Sequence, residues 1–124
     1  MAKLATIIIQ IRHQVDAIEA WVKGRTIADF KGDMLLRNAI ERSIEIISEA
    51  SRRIPQIEKA KHPQIPWNDI ADVGNFIRHQ YHDINDKILW DLTQESHLRD
   101  LKAAVNTMNP NATLPRRRKP SADS

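Results

Sequence analysis

Residues 69 to 86, "DIADVGNFIRHQYHDIND", concentrate side chains that can transfer protons or bind phosphate. The segment holds two of the five histidines and the single tyrosine, together with one arginine and two asparagines. At about 100° per residue, four of these polar side chains stand at i, i+3, i+4 and i+7 on a helix and form one continuous row. The row consists of Asn75, Arg78, His79 and His82.

Such a row has the chemistry for cutting RNA. Internal cleavage needs a base that takes the proton of the 2′-hydroxyl, and imidazole titrates near neutral pH. Negative charge builds on the phosphate during the reaction, and a guanidinium is well shaped to stabilise it. The alternative is a plain solvated helix face, because rows of charged residues on exposed helices are common.

The composition predicts an all-α protein without disulfides. Ile, Leu, Ala, Glu and Arg are abundant, whereas glycines number three and cysteines are absent. No apolar run approaches the roughly 20 residues that cross a bilayer. The apolar start is interrupted by Gln10 and Arg12 and lacks a small-residue cleavage site. We therefore expect a mature first helix, no membrane partner and a cytoplasmic location.

The positive charge of the chain is confined to its end. The formal net charge is +3, and residues 109–124 hold Arg116, Arg117, Arg118 and Lys119 against Asp123. The remaining 108 residues are therefore neutral, which does not support a globally basic RNA-binding surface. We predict one helical domain over residues 1–108 and a flexible basic tail over 109–124.

Hydrophobic spacing predicts an antiparallel up-and-down bundle of four or five helices. A first amphipathic helix runs from Leu4 to Val22, and Gly24 is placed to end it. A second runs from about Asp33 to Arg53 before Pro55. A third starts at a cap on Asn68 or Asp69, after Trp67, and a fourth starts near Asn85. The buried stripe predicted for the second helix is Leu35, Leu36, Ala39, Ile40, Ile46, Ile47, Ala50 and Ile54.

Two segments carry a family resemblance, "GRTIADFKGDMLLRNAIERSIEIISEASRRIP" and "HPQIPWNDIADVGNFIRHQYHDINDKILWDL". They resemble the HepT-like (DUF86) branch of the HEPN proteins, in order and spacing, over roughly residues 4 to 105. The resemblance implies an all-helical homodimer that acts as a metal-independent ribonuclease toxin on tRNA or mRNA. It also implies a cognate minimal nucleotidyltransferase as the antitoxin partner, and no cofactor.

The family motif is an arginine, four to six intervening residues, and then His-x-Tyr. His79 and Tyr81 match the end of this motif, and Asn75 matches the asparagine that commonly follows the arginine. The resemblance implies that the partner adenylylates Tyr81. The motif arginine itself has no match, because its possible positions hold Gly74, Val73 and Asp72. Arg78 is the nearest basic residue, and a helical wheel places it on the same face.

The sequence and the resemblance together predict roles for the row. His79 is the predicted general base or acid, Arg78 stabilises the phosphorane, and Asn75 orients the phosphate. His82, Arg52 and Arg53 are further candidates for RNA contacts. The helix end explains the last two equally well, because cations stabilise it.

The sequence leaves two questions open, the catalytic competence of the site and the placement of Tyr81. Without the motif arginine, the protein can be a catalytically weak or inactive module that only binds the nucleotidyltransferase. Tyr81 lies about 200° from His79 on a regular helix, so it either needs an unwound helix near Gln80 or packs in the core. A metal site at His79, His82 and Asp83 lacks a third well-placed ligand, so we predict none.

Overall fold

The computed structural model describes residues 3–79, 86–94 and 96–108, without the side chains of Arg78 and His79. These residues form seven helices and no strand, which confirms the predicted all-α class. In chain order the helices are α1 (Leu4–Val22), α2 (Ile27–Gly32), α3 (Met34–Arg52), α4 (Gln56–Lys59), α5 (Trp67–His79), α6 (Asp86–Gln94) and α7 (His97–Met108). None of the helices in the described part of the chain is long and apolar enough to cross a membrane.

The first two long helices begin and end close to the predicted residues. Gly24 adopts a φ of 74°, and the backbone N–H of Arg25 donates to the carbonyl of Val22, which closes α1. The carboxylate of Asp33 accepts from the backbone N–H of Leu36 at 3.0 Å and caps α3. This hydrogen bond, with a smaller contribution from the Arg25 guanidinium, holds the pKa of Asp33 below its usual range.

The buried face of α3 differs from the predicted stripe. Leu35 is 81% exposed, so its assignment to the core was wrong, whereas Ile44 is only 4% exposed. Three serines also face the interior: Ser43, Ser48 and Ser51. Each serine hydroxyl has a hydrogen-bond partner, as buried polar groups require. The prediction was right for Leu36, Ile40, Ile47, Ala50 and Ile54. It missed the serines because hydrophobicity alone does not count small polar residues as core.

Helix α3 is the central element of the bundle. It packs against α1 on one side and α5 on the other, and α7 packs against α1. The core consists of aliphatic side chains from these helices with Phe30 and Trp90, whose ring centroids lie 5.4 Å apart. Hydrogen bonds also join the helices, since the hydroxyl of Ser43 donates to the side-chain oxygen of Gln14 at 2.6 Å.

The third predicted helix starts slightly earlier than expected. The carbonyl of Pro66 accepts from the N–H of Ile70, so α5 already begins at Trp67. The Trp67 indole N–H donates to the carbonyls of Lys59 and His62 rather than standing before a cap. The connection before α5 is thereby tied to its first turn.

The predicted fourth helix is divided into two. Helix α6 ends at Gln94, and α7 begins at His97, where the carbonyl of Ser96 accepts from the N–H of Asp100 at 2.7 Å. Helix α6 packs against α2, whereas α7 packs against α1. The apolar face of α6 therefore packs against one neighbour and that of α7 against another. A single straight helix would not place both faces against these neighbours.

Candidate functional site

Helix α5 carries the first part of the predicted row and is fixed against α3 at one point of close approach. The hydroxyl of Ser48 donates to the carbonyl of Ala71 at 2.9 Å and accepts from the backbone N–H of Gly74 at 3.1 Å. A β-carbon at position 74 would lie 2.6 Å from Ser48 Oγ. Only glycine therefore allows the two backbones to come this close.

Arg52 contributes a second link at the same place. Its Nε and Nη2 atoms donate to the carbonyl of Ala71 at 3.2 and 2.6 Å, while the side chain stays exposed at its surface. Arg53 is the exposed C-cap of α3, and its backbone N–H donates to the carbonyl of Ala50 at 3.0 Å. The structure thus gives Arg52 a role in joining α5 to α3, and the RNA contacts of both arginines stay predictions.

The faces of α5 agree with the helical wheel. Gly74 and Ile77 are buried against the bundle, whereas Asp72 is exposed and Asn75 is half-buried. Phe76, next to Asn75, is 43% exposed. Position 79 lies one helical turn beyond position 75, within α5.

Asn75 is the member of the row whose side chain lies within the described residues. Arg78 and His79 belong to α5 by backbone, but their side chains lie outside the described residues. Tyr81 and His82 also lie outside them. The convergence of Arg78, His79 and Asn75 in one groove stays a prediction.

The chain after the row is anchored again at the start of α6. The Arg37 guanidinium of α3 forms an ion pair with Asp86 through Nη1 and donates from Nε to Glu41 at 3.1 Å. The Arg37 and Asp86 side chains are 27% and 23% exposed, which limits solvent screening. Both flanks of the segment that holds Tyr81 and His82 are thus attached to α3.

Comparison with known proteins identifies the family. The family model "Ribonuclease HepT-like" matches residues 11–108, which is most of the chain. The chain belongs to the HepT-like ribonuclease family. This assignment confirms the resemblance inferred from the two segments, and it supports ribonuclease activity at the level of the family.

Relatives with ribonuclease names lie in bacteria and archaea. A protein of Caldanaerobacter subterraneus subsp. tengcongensis named "Putative RNase" is 39% identical over 70 residues, 56% of this chain and 62% of the relative. "Probable ribonuclease HepT" of Thermococcus cleftensis is 33% identical over 85 residues, 68% of this chain and 77% of the relative. The chain therefore spans slightly less than two thirds of the first relative. No solved structure matches the chain significantly.

The packing of α5 against α3 limits the side chain that position 74 can hold. An arginine five residues before His79 would stand at position 74, where a β-carbon already meets Ser48. Position 73 holds a partly buried valine that packs against the core, and position 72 holds an exposed aspartate. Position 74 therefore has no room for an arginine while α3 and α5 keep this contact.

The described residues give no metal centre. Among residues 3–79, 86–94 and 96–108, no group of three or more His, Cys, Asp or Glu side chains is placed to hold a metal ion. His13, His62 and His97 lie on separate helices or connections. His62 has an ordinary structural contact, because its Nε2 lies 3.0 Å from the hydroxyl of Thr107.

Proposed function

We propose that this protein is an endoribonuclease that cleaves RNA by attack of the 2′-hydroxyl on the adjacent phosphate. His79 acts as the general base or acid, Arg78 stabilises the charged phosphorane, and Asn75 orients the phosphate. Membership of the HepT-like family carries the proposal, since the relatives bear ribonuclease names. The placement of residues 75 and 79 one turn apart on α5 supports it.

The reaction removes a proton from the 2′-hydroxyl and adds a proton to the leaving 5′-oxygen. A base at position 79 takes the proton of the 2′-hydroxyl, and the resulting oxygen forms a bond to phosphorus. The bond between phosphorus and the 5′-oxygen breaks, and that oxygen takes a proton as it leaves. The products are a 2′,3′-cyclic phosphate and a free 5′-hydroxyl, and no oxidant or other reactant is required.

The proposed active form is a homodimer. The domain without its tail is electrically neutral, so a single copy offers little attraction to RNA. A second copy would supply another Arg78 and His79 and would deepen the cleft between two α5 helices. Water would be more fully excluded from such a cleft, which strengthens electrostatic stabilisation of the phosphorane.

The proposed biological role is that of a toxin neutralised by a minimal nucleotidyltransferase antitoxin. Transfer of a nucleotide to Tyr81 would place a phosphate and a bulky group two residues from His79. The added negative charge would repel RNA, and the added volume would block the cleft. Co-purification with the nucleotidyltransferase and a mass increase on the peptide containing Tyr81 would support this role.

The decisive experiment is an RNA decay assay with tRNA and mRNA in the presence of EDTA. We expect His79→Ala to lower the cleavage rate by about 100-fold or more, because loss of a general base typically costs that much. Arg78→Ala should also lower it, whereas His13→Ala, an exposed histidine on α1, should leave it unchanged. Fragments should carry cyclic phosphate ends, and RNA with a 2′-deoxy sugar at the cut site should resist.

A second candidate function is a non-catalytic module that binds the nucleotidyltransferase through the same face. The contact between position 74 and Ser48 favours it, because the contact leaves no room for the motif arginine at that position. Equal RNA decay by wild type, His79→Ala and Arg78→Ala would discard the enzyme. Retained binding of the nucleotidyltransferase by all three proteins would then establish the module.

A further inference from the structure

A polar groove of about 420 Å³ lies where the end of α1 meets the junction of α6 and α7. Among the described residues, its lining comes from α1, α6, α7 and the turn after α1, and none of it from α5. The residues of interest in its lining are Glu19, Lys23, Arg25, Thr93, Gln94 and Arg99.

Among the described lining residues of this groove, positive charge exceeds negative charge, although the domain as a whole is neutral. These residues include Lys23, Arg25 and Arg99 and one carboxylate, Glu19. Arg25 also forms an exposed ion pair with Asp33 at 3.4 Å. Lys23 and Arg99 form no hydrogen bond or ion pair with any residue in the described ranges, so both are available to a ligand.

Thr93 and Gln94 add neutral polar groups beside the cations. Thr93 is buried and donates to the carbonyl of Trp90, and the Gln94 amide donates to the Thr93 hydroxyl at 3.2 Å. The groove therefore offers cations beside neutral hydrogen-bonding groups rather than an apolar surface. Its volume accommodates phosphate groups, which guanidinium and ammonium groups bind well.

The topology brings the groove and the row to the same end of the bundle. Ala71 of α5 contacts Arg52, whereas Gly74, later in α5, contacts Ser48, which comes earlier in α3. The two helices are therefore antiparallel. The carboxyl end of α5 thus points toward the beginning of α3. Helix α1 ends at this side as well, because only α2 and two short turns separate it from α3.

We propose that the groove binds backbone phosphates of the RNA strand whose cleaved linkage lies at α5. This inference rests on the proposed ribonuclease function, which requires the strand to continue beyond the cut. Lys23 and Arg99 hold the strand without reading its bases, because phosphate contacts position a nucleic acid and carry no sequence information.

The test is the salt dependence of RNA binding by the full-length protein. The probe is a short fluorescent single strand of 2′-O-methyl RNA, which internal attack cannot cut, and binding is followed by fluorescence anisotropy. The variant Lys23→Gln/Arg99→Gln removes the charge of both side chains. The control Lys3→Gln/Lys61→Gln removes the same charge from exposed residues at the start of α1 and after α4, at the opposite end of the bundle.

The groove variant should bind more weakly, and its plot of log affinity against log salt should be flatter. A single strand loses a slope of about 0.7 for each phosphate contact removed, so we expect a decrease of about 1.4. The control should keep a slope close to that of wild type. Glu19→Gln should strengthen binding, because it removes the carboxylate that faces the three cations. Circular dichroism and thermal unfolding verify that each variant is folded.

The outcomes separate this inference from the proposed function. Equal slopes for wild type and the groove variant, with cleavage still dependent on His79, would overturn the groove and leave the ribonuclease. Flattening in the groove variant without any cleavage by wild type would uphold the groove and overturn the enzyme. A wild-type protein that binds no RNA would overturn both.

Discussion

A β-carbon added at position 74 would lie 2.6 Å from Ser48 Oγ and 2.8 Å from Ser48 Cβ. The hydroxyl oxygen could move by rotation, but the β-carbon is fixed to the backbone of α3. The two helices would therefore have to separate, and the hydrogen bonds of Ser48 to α5 would lengthen. At the scale of the residue, this single contact sets the distance between α5 and α3.

We expect Gly74→Ala to lower the free energy of unfolding by about 1–2 kcal/mol, because overpacking outweighs the gain in helix propensity. Urea unfolding followed by circular dichroism measures the change. Gly32→Ala is the matched control, since a β-carbon there meets no atom within 4 Å. That variant should be as stable as wild type or more stable.

A double-mutant cycle tests the stated cause. On a Ser48→Gly background both contacted atoms are absent, so Gly74→Ala should cost less than it does in wild type. An equal cost on the two backgrounds would show that another contact, rather than Ser48, opposes the methyl group.

At the scale of the element, the start of α6 depends on one arginine of α3. Arg37 bonds both Glu41 on its own helix and Asp86 at the first position of α6. Helix α6 otherwise packs mainly against the short helix α2. The ion pair therefore determines where the chain resumes after the segment that holds Tyr81 and His82.

We expect Arg37→Ala to destabilise the protein by about 1–3 kcal/mol, since it leaves a partly buried carboxylate without its cation. Arg42→Ala is the control, because Arg42 is 72% exposed and pairs with Glu45 at 3.3 Å. An exposed pair of this kind contributes about 1 kcal/mol or less. Hydrogen exchange should also show faster opening of α6 in Arg37→Ala, and protection equal to wild type would contradict the anchoring role.

At the scale of the whole molecule, the proposed dimer must bring two α5 helices together. Phe76 is the large apolar side chain that is exposed on this helix, and it adjoins Asn75. Burial of an aromatic side chain at a subunit interface is favourable, whereas burial of a carboxylate there is strongly unfavourable. Phe76 therefore offers a direct way to test the arrangement.

We expect wild type to sediment as a dimer and Phe76→Glu to sediment as a monomer with lower ribonuclease activity. Ile57→Glu is the control, since Ile57 is 70% exposed on α4, which lies at the opposite end of α5. Analytical ultracentrifugation distinguishes the species. A monomeric wild type would overturn the dimer, and a dimeric Phe76→Glu would place the interface on another face.

Local signals in the sequence predicted much of this structure. The spacing of isoleucines and valines gave α1, and Gly24 and Asp33 marked helix ends through their own backbone and side-chain chemistry. The faces of α5 also followed from the helical wheel, because Ile77 is buried and Asp72 exposed. These features depend on neighbours a few residues apart, so the sequence contains the information directly.

Contacts between distant residues could not be predicted from the sequence. Its hydrophobic pattern placed Leu35 in the core, overlooked the three buried serines of α3, and joined α6 and α7 into one helix. The sequence proposes Asn75, Arg78 and His79 as site residues and has Gly74, Val73 and Asp72 where the motif arginine would stand, but it contains no signal for the Ser48 contact. The cations Lys23 and Arg99 are 76 positions apart in the chain, and only the fold assembles them in one groove.

The sequence by itself determined the helical class, the ends of α1 and α3, and the buried and exposed faces of α5. Tertiary structure decided that three serines share the buried face of α3, how closely α5 approaches it, and that position 74 has room only for glycine. The physical reason is range: helix formation depends on residues three or four apart, whereas the distance between two helices depends on atoms from remote parts of the chain.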